Sequence, residues 1–374
     1  MAQKIRLGVI FGGRSGEHEV SLMSARSVLS VIDREKYEVY PIGITLEGRW
    51  VYGENLLEML TEKKTKKLSS AAIFGDPTRS GLFQMQPVSD DGEIIFKLAD
   101  LDVLFPVLHG TYGEDGTLQG LFEMADIAYV GAGVLGSAVG MDKALFKDLM
   151  RANHIPVVPS ILITRKMIEN ELETVMNKAE KVGAYPLFVK PANLGSSVGI
   201  SKCTNRSDLM EGLIDAARFD RRILVEKGIN AREIEVSVLG NEQPQVSVPG
   251  EIRPQADFYS YEAKYILDNS ELIIPAQLTV DQKHQIQEYA IRAYIAADCA
   301  GMARADFLLD KGTGEVFLNE INTIPGFTKI SMYPKLWEAS GLHYPELIDR
   351  LIELALERKS ERDRTVHQFR SEHR

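Results

Sequence analysis

Two segments carry the residue types that chemistry on phosphates and carboxylates requires. The first, MARADFLLDKGTGEVFLNEINTIPG (residues 302–326), reads as two strands flanking a polar turn centred near Thr313. In an antiparallel hairpin closed there, Asp306 lies opposite Glu320 and Arg304 opposite Asn322. Side chains alternate faces along a strand, so these four share one face, and Ala305, Phe307, Leu309, Phe317 and Ile321 take the other as a core pattern. Two carboxylates and an amide on one face form a hard-oxygen set of the kind that suits Mg²⁺, whose shell is completed by water and substrate phosphates. The alternative is a solvated sheet face with cross-strand ion pairs, and a slip of one residue in register would break the pattern.

The second segment, VKPANLGSSVGISK (residues 189–202), is a strand ending in Lys190 that opens into a glycine- and serine-rich loop. Glycines expose backbone N–H groups, and the hydroxyls and lysine add donors, so the loop can cover a polyphosphate. A plain hairpin tip has the same composition. No Gly-Lys-Ser/Thr closes it into a helix, so it is not a P-loop. Gly131-Ala-Gly-Val-Leu-Gly136 matches the dinucleotide-binding spacing, but it does not follow the first strand and no acid lies about 20 residues on, which argues against a nicotinamide site. The seven histidines lack zinc spacing, and Gly-x-Ser-x-Gly is absent. His109 precedes a glycine at a strand end, where packing and substrate positioning are equally open.

These residues need a frame. An apolar run over 5–11, a glycine turn, a helix over 21–32 with Leu22, Ala25, Val28, Leu29 and Ile32 on one face, and a strand over 37–44 begin a parallel α/β unit. Residues 55–91 are more polar, and the charge run at 62–67 reads as a solvated face. A further strand spans 102–108, a boundary falls near Gly140, and helices are expected over 281–297 and 345–358, the latter with Leu347, Ile348, Leu351, Ile352 and Leu354 as its buried stripe. The polar tail beyond Arg358 is expected to fray.

The 374 residues suggest two or three domains, and 44% hydrophobic with 26% charged residues excludes a disordered or collagenous chain. A net charge of −10 argues against a nucleic-acid binder. Two distant cysteines, Cys203 and Cys299, exclude a disulfide framework and point to a reducing, cytoplasmic setting. The N-terminal apolar run is too short for a signal peptide, and the longest uncharged stretch, 127–141, is short of the roughly 18 residues a membrane span needs and carries several glycines, so no membrane association is expected.

Taken in order along the chain, GGRSGEHEVSL, HGTYGEDGTLQG, MDK at 141–143, VKPANLGSSVG, YEAKY, RADFLLD, NEINTIPGFT and SMYP closely resemble the D-alanine–D-alanine ligases of the ATP-grasp superfamily. The resemblance covers nearly the whole chain up to Arg358. It implies an α/β fold in which an N-terminal parallel-sheet (pre-ATP-grasp) domain, residues 1–140, precedes a two-lobed ATP-grasp fold. The central lobe would span 141–228 and the C-terminal lobe 229–358, with a flexible tail at 359–374.

The reaction so implied uses ATP and two Mg²⁺ ions, or Mn²⁺, to join two D-alanines through an acyl phosphate for cell-wall precursor synthesis, in a cytoplasmic homodimer. By the same resemblance Glu17 holds the first substrate's ammonium, near His109, and Ser196 and Tyr265 join Glu17 in a hydrogen-bonded triad. Lys143, Lys190, Ser196 and Ser197 belong to the phosphate end of the nucleotide, and Lys264 reaches the γ-phosphate. Glu226, Lys227 and Ile229 read adenine, Glu233 the ribose, and Asn319 also binds the nucleotide. Asp306, Glu320 and Asn322 ligate the metals, with Glu320 also on the nucleotide side. Arg304 and the Gly326 amide stabilise the oxyanion, and Ser331 sits near the second substrate's carboxylate. Residues 195–199 and 255–271 are expected to act as lids. A D-alanine–D-lactate ligase and a non-catalytic nucleotide-binding protein are the alternatives; the second has no need of the full phosphate, metal and oxyanion set. Gly228 departs from relatives that carry tryptophan there, leaving only backbone at that point of the adenine segment.

Overall fold

The computed structural model describes residues 3–89, 92–195, 198–253 and 271–366, whose strands fall into three sheets. The first contains β1 (Ile5–Gly12), β2 (Tyr37–Ile44), β3 (Trp50–Tyr52), β4 (Ser69–Ala72), β5 (Leu82–Ser89), β6 (Gly92–Ala99), β7 (Val103–Val107) and β8 (Ala128–Tyr129), in the order β6-β5-β4-β3-β2-β1-β7-β8. β1 runs parallel to β2 and β7, and β7 to β8. β1 is an unbroken apolar run because both its faces are covered; Leu7, Val9, Ile10 and Phe11 are fully buried. It ends where Gly12 turns at φ +95°, with a would-be Cβ 2.2 Å from the Ile44 carbonyl oxygen, so only glycine lets the chain swing into α1 (His18–Val31). The charge run at 62–67 is largely exposed, as expected. The rest of the polar stretch supplies β4 and β5, which with β6 extend the sheet in antiparallel fashion beyond the parallel unit. Short helices α2 (Leu56–Thr61), α3 (Thr117–Met124), α4 (Val134–Met141) and α5 (Lys143–Ala152) complete this half and lead out of it. Gly131, Gly133 and Gly136 open α4 and allow close packing, Gly136 approaching the Asp298 carbonyl, rather than forming a phosphate turn after a first strand.

The second sheet is antiparallel, with β9 (Ser160–Thr164), β10 (Leu187–Pro191), β11 (Ser201–Cys203) and β12 (Arg222–Lys227) in the order β11-β10-β12-β9. Helices α6 (Arg165–Ala179) and α7 (Arg206–Phe219) bury their apolar stripes against one of its faces. The third sheet comprises β13 (Ala231–Gly240), β14 (Gln245–Val246), β15 (Gly250–Arg253), β16 (Glu271–Ile273), β17 (Gly301–Asp310) and β18 (Val316–Asn322), in the order β16-β15-β13-β17-β18 with β14 on β13. It is backed by α8 (Val280–Ala296), which begins with a Thr279–Gln282 capping box.

The β17–β18 hairpin pairs Arg304 with Asn322 and Asp306 with Glu320, the expected register. Beyond Asp306 a β-bulge intervenes, and Phe307 faces Leu318. The extra residue, Asn319, reverses the alternation on β18. Val316 and Leu318 are therefore in the core, and Phe317, expected there, is only half-buried.

Two final helices, α9 (Met332–Ala339) and α10 (Tyr344–Arg362), follow. The α10 stripe Leu347, Ile348, Leu351, Ile352 and Leu354 packs with Leu7, Val9 and Phe105, so the C-terminal helix completes the N-terminal core. Where fraying was expected after Arg358, the helix continues to Arg362. Arg358 lies 4.1 Å over the Tyr129 ring and donates to the Tyr129 and Gly131 carbonyls, while Lys359 and Arg362 pair with Asp126 at 3.1 and 2.8 Å. Among the described residues, no helix is long and apolar enough to cross a membrane.

Candidate active site

A cavity of about 1080 Å³ takes its walls from the second and third sheets and from the segments that follow β1 and β7 and join α4 to α5. It brings together Glu17, His109, Lys143, Lys190, Glu226, Lys227, Ile229, Glu233, Arg304, Asp306, Asn319, Glu320, Asn322 and Gly326. Ser331 lies just behind, its Oγ 2.8 Å from where a Gly326 Cβ would stand and accepting from the Thr328 amide at 3.0 Å. Ser196, Ser197, Lys264 and Tyr265 lie outside the described residues, as does most of the expected lid at 255–271.

At the second-sheet end, Glu226 on β12 is buried between two ammonium groups, Lys147 Nζ at 2.9 Å and Lys190 Nζ at 2.6 Å. Burial penalises the Glu226 charge, but the two lysines outweigh it and hold the carboxyl down at about 2. Lys190 and Glu226 line the cavity, and Lys147 is buried outside its lining, where burial lowers its ammonium from the ordinary range. Lys143 begins α5 immediately after its N-cap, Asp142; its Nζ donates to the Leu194 carbonyl at 2.7 Å and stands 3.8 Å from Glu320. Lysines concentrated beside a helix N-terminus and a glycine loop suit an anion.

On the hairpin face, Arg304 grips Asp306 in bidentate fashion, at 2.7 and 2.6 Å, and lies 2.9 Å from Glu235. Asn322 Nδ2 donates to Asp306 at 2.9 Å. The donor set at this spot is two carboxylates and an amide, all oxygen, with the bulge bringing Asn319 next to Glu320. That chemistry fits Mg²⁺. Among the described residues no group of three or more His, Cys, Asp or Glu forms a ready metal cluster, so water and substrate oxygens would have to complete the shell.

At the N-terminal end, Glu17 is only 8% exposed, and its carboxylate is wedged between two glycines. A Cβ on Gly110 or Gly195 would fall 2.4 or 2.7 Å from Glu17 Oε2. His109 is buried beside it. Its Nδ1 meets the Ile324 carbonyl at 3.1 Å and its Nε2 meets Ser24 Oγ at 3.0 Å. A carbonyl only accepts, so Nδ1 carries the hydrogen and Nε2 accepts from the serine hydroxyl. Burial chiefly, despite that hydrogen bond to Ile324, pushes the imidazole down to about 4 and keeps it neutral.

Among the cavity and near-cavity residues that escaped the sequence reading are Glu114, Lys147 and Glu235. Only Glu114 had a local signal, as the acid of HGTYGEDG; burial and the nearby Glu17 carboxylate push its carboxyl well above the usual range. Lys147 follows Lys143 by one helical turn, an arrangement that looks like an ordinary basic helix face.

Comparison with known proteins follows the same division. Residues 6–132 match the family described as D-ala D-ala ligase N-terminus, and residues 149–353 that described as D-ala D-ala ligase C-terminus. The chain is 51% identical over 363 residues to the D-alanine--D-alanine ligase of Heliobacterium modesticaldum, spanning 97% of this chain and 98% of that protein. Among solved structures, the D-alanine-D-alanine ligase from Coxiella burnetii is 38% identical with a TM-score of 0.80, each chain covered to 97%. The VanG D-Ala:D-Ser ligase from Enterococcus faecalis is 36% identical with a TM-score of 0.82, over 94% of this chain and 100% of that one. These ligases have the ATP-grasp fold, and the α/β architecture described above is theirs. With both halves matched and half of all residues shared with a full-length relative, the chain belongs to the D-alanine–D-alanine ligase family.

Proposed function

We propose that the protein joins two D-alanine molecules into D-alanyl-D-alanine at the expense of ATP, through a D-alanyl phosphate. The observation that carries this reading is one cavity holding a lysine-flanked anion end, an all-oxygen face and a glycine-wedged carboxylate. In the first step a carboxylate oxygen of one D-alanine attacks the γ-phosphorus of ATP, and the bond to the ADP oxygen breaks. In the second, the amine of another D-alanine, having lost a proton, attacks the acyl carbon, and inorganic phosphate leaves.

The residues divide the work by charge. Glu17 would take the first substrate's ammonium, with Gly110 and Gly195 leaving room for it. Lys143 and Lys190 would hold nucleotide phosphates, and the ionised Glu226, steadied by its two lysines, would accept from the adenine amino group alongside Lys227 and Ile229; Glu233 would bind ribose. Asp306, Glu320 and Asn322 would hold two Mg²⁺ ions, or Mn²⁺, with Asn319 adjacent; bound there, the metal screens phosphate charge and makes the γ-phosphorus more electrophilic. Arg304 and the Gly326 N–H would face the oxyanion as the amine adds. Ser331, next to Gly326, is assigned to the second substrate's carboxylate, Lys264 to the γ-phosphate, Ser197 to the phosphate end of the nucleotide, and Ser196 and Tyr265 to the triad with Glu17 that closes the site. The domain limits at 140 and 228 are proposed with it, while the C-terminal lobe extends past 358 to the end of α10 at Arg362.

Peptidoglycan precursor synthesis in the cytoplasm is the setting proposed, supported by two free buried cysteines. A homodimer is proposed as well. It is supported by the edge strand β6, where Ile94, Ile95 and Phe96 are each 45–48% exposed. The functional reading is tested by measuring phosphate release while omitting ATP, Mg²⁺ or D-alanine in turn. Release that needs all three is expected; release without D-alanine, or none at all, removes the ligase reading.

A further inference from the structure

The turn that presents Gly326 reads Thr323-Ile324-Pro325-Gly326, and its middle has few backbone handles. Pro325 has no N–H, so the Ile324 amide is the last donor before the Gly326 amide itself. That donor is taken across 210 residues of sequence: Ile324 N–H donates to Glu114 Oε1 at 3.2 Å. The other oxygen of the same carboxyl, Oε2, accepts from the Gly110 amide at 2.6 Å. Gly110 is the residue whose missing side chain makes room for Glu17. The loop from Gly110 to Glu114 is also closed by a backbone bond, Glu114 N–H to the Gly110 carbonyl at 3.0 Å, which fixes where the carboxyl starts from.

We propose that Glu114 is a positioning residue for the ligation, tying the turn that carries Gly326 to the loop that seats Glu17. His109 secures the Ile324 carbonyl from the same side, through Nδ1–H at 3.1 Å. Ser24, which donates to His109 Nε2, also accepts from the Phe327 amide at 3.2 Å. The Pro325-Gly326 pair is therefore bracketed on both flanks by groups from α1 and from the loop after β7. This gives His109 a holding role in which both ring nitrogens are already engaged. The purpose follows from the chemistry. An oxyanion donor works only when aimed in advance at the site where charge develops, and here its aim is set relative to the ammonium site of the acyl donor.

The requirement on side-chain type is sharp. Both partners are N–H donors, one on each oxygen, so a carboxyl group satisfies both. Glutamine offers a single acceptor, and its NH₂ would confront one of the amides. Aspartate is a methylene too short to bridge the same gap. Burial and Glu17 raise the Glu114 carboxyl above its ordinary range, and a protonated carboxyl still offers an acceptor on each oxygen.

The proposal rests on the ligase reading for its consequence, though not for its geometry, and two readouts keep these apart. In the first, amide hydrogen exchange of the 323–327 segment is compared between the parental protein and Glu114→Gln. Exchange at Ile324 should quicken by about tenfold, the scale of one lost hydrogen bond. In the second, dipeptide and phosphate are counted together. Glu114→Gln should lower kcat with the KM for ATP held within about twofold, and should release more than one phosphate per dipeptide, since a misaimed oxyanion site leaves acyl phosphate to water. Parental exchange at Ile324, or parental kcat with one phosphate per dipeptide, overturns the proposal. A parental protein without D-alanine-dependent turnover sinks the ligase reading, and exchange alone then decides the tie. If melting curves show Glu114→Gln to be unfolded, Ser24→Ala takes its place: it should speed exchange at Phe327 and uncouple phosphate release, and no change in either refutes the bracket.

Discussion

Gly110→Ala separates the stability of the fold from the placement of one carboxylate. Gly110 has φ +74°, and a methyl added there would stand 2.4 Å from Glu17 Oε2 and 3.4 Å from Glu17 Cδ. The left-handed backbone alone costs about 1–2 kcal/mol for a residue with a Cβ. The clash adds little, because the obstructing atoms end a flexible side chain that can rotate away. That rotation must carry Oε2 roughly 1 Å to restore ordinary contact, and it removes the carboxylate from the first substrate's ammonium. A hydrogen bond to a charged group is worth about 1.5–3 kcal/mol, so kcat/KM for D-alanine should fall roughly 10- to 100-fold at saturating ATP. The KM for ATP should stay within about twofold, since the added methyl meets only Glu17 and Ser15 and no residue assigned to the nucleotide. Gly195→Ala provides the contrast. Its methyl would meet the same oxygen at 2.7 Å without a left-handed backbone, so activity should drop with less loss of melting temperature. Steady-state kinetics with D-alanine varied, beside thermal melts of both variants, make the comparison. Parental kcat/KM in Gly110→Ala would refute the wedge and the assignment of Glu17 together.

Two further outcomes follow from buried charge. Lys147→Met should lower the free energy of unfolding by about 3 kcal/mol, the low end for a broken buried pair because Lys190 remains; urea denaturation measures it, and adding Glu226→Gln should recover part of the loss. His109 binds its proton near 6.5 when unfolded and near 4 when folded. The unfolded chain therefore holds more protons between those values, and stability falls as pH drops from 6.5 towards 4, by about 2.5 kcal/mol at pH 4.5. Denaturation of the parental protein and His109→Asn at pH 7 and pH 4.5 isolates that slope; Glu114, titrating in the opposite sense, contributes to both and cancels in the difference. Equal pH slopes would mean that His109 is not held neutral.

How far the sequence revealed this site depended on whether the signal was local. The Arg304–Asn322 and Asp306–Glu320 pairs followed from a short polar turn, because a hairpin's register is set by its own loop. The bulge at Asn319 left no mark in residue type, and so Phe317 was placed on the wrong side. The α10 stripe announced that a face is buried, but periodicity does not say against what, and its partner is the N-terminal sheet more than 200 residues away. Nor does composition show that Lys359 and Arg362 find Asp126, which keeps the helix going. Lys147 looked like any solvent-facing lysine until β12 brought Glu226 to it. Family resemblance supplied what geometry could not, naming roles for residues whose types alone are ambiguous, such as Glu17 and His109.

The most direct test of the account follows an oxygen atom. The proposed first step makes a bond between a D-alanine carboxylate oxygen and the γ-phosphorus, and the second leaves that oxygen on phosphate when the amine adds. D-Alanine labelled with ¹⁸O in its carboxylate is turned over with ATP and Mg²⁺, and mass spectrometry reads both products. The account predicts D-alanyl-D-alanine together with inorganic phosphate carrying one labelled oxygen per molecule. Dipeptide accompanied by unlabelled phosphate would contradict it.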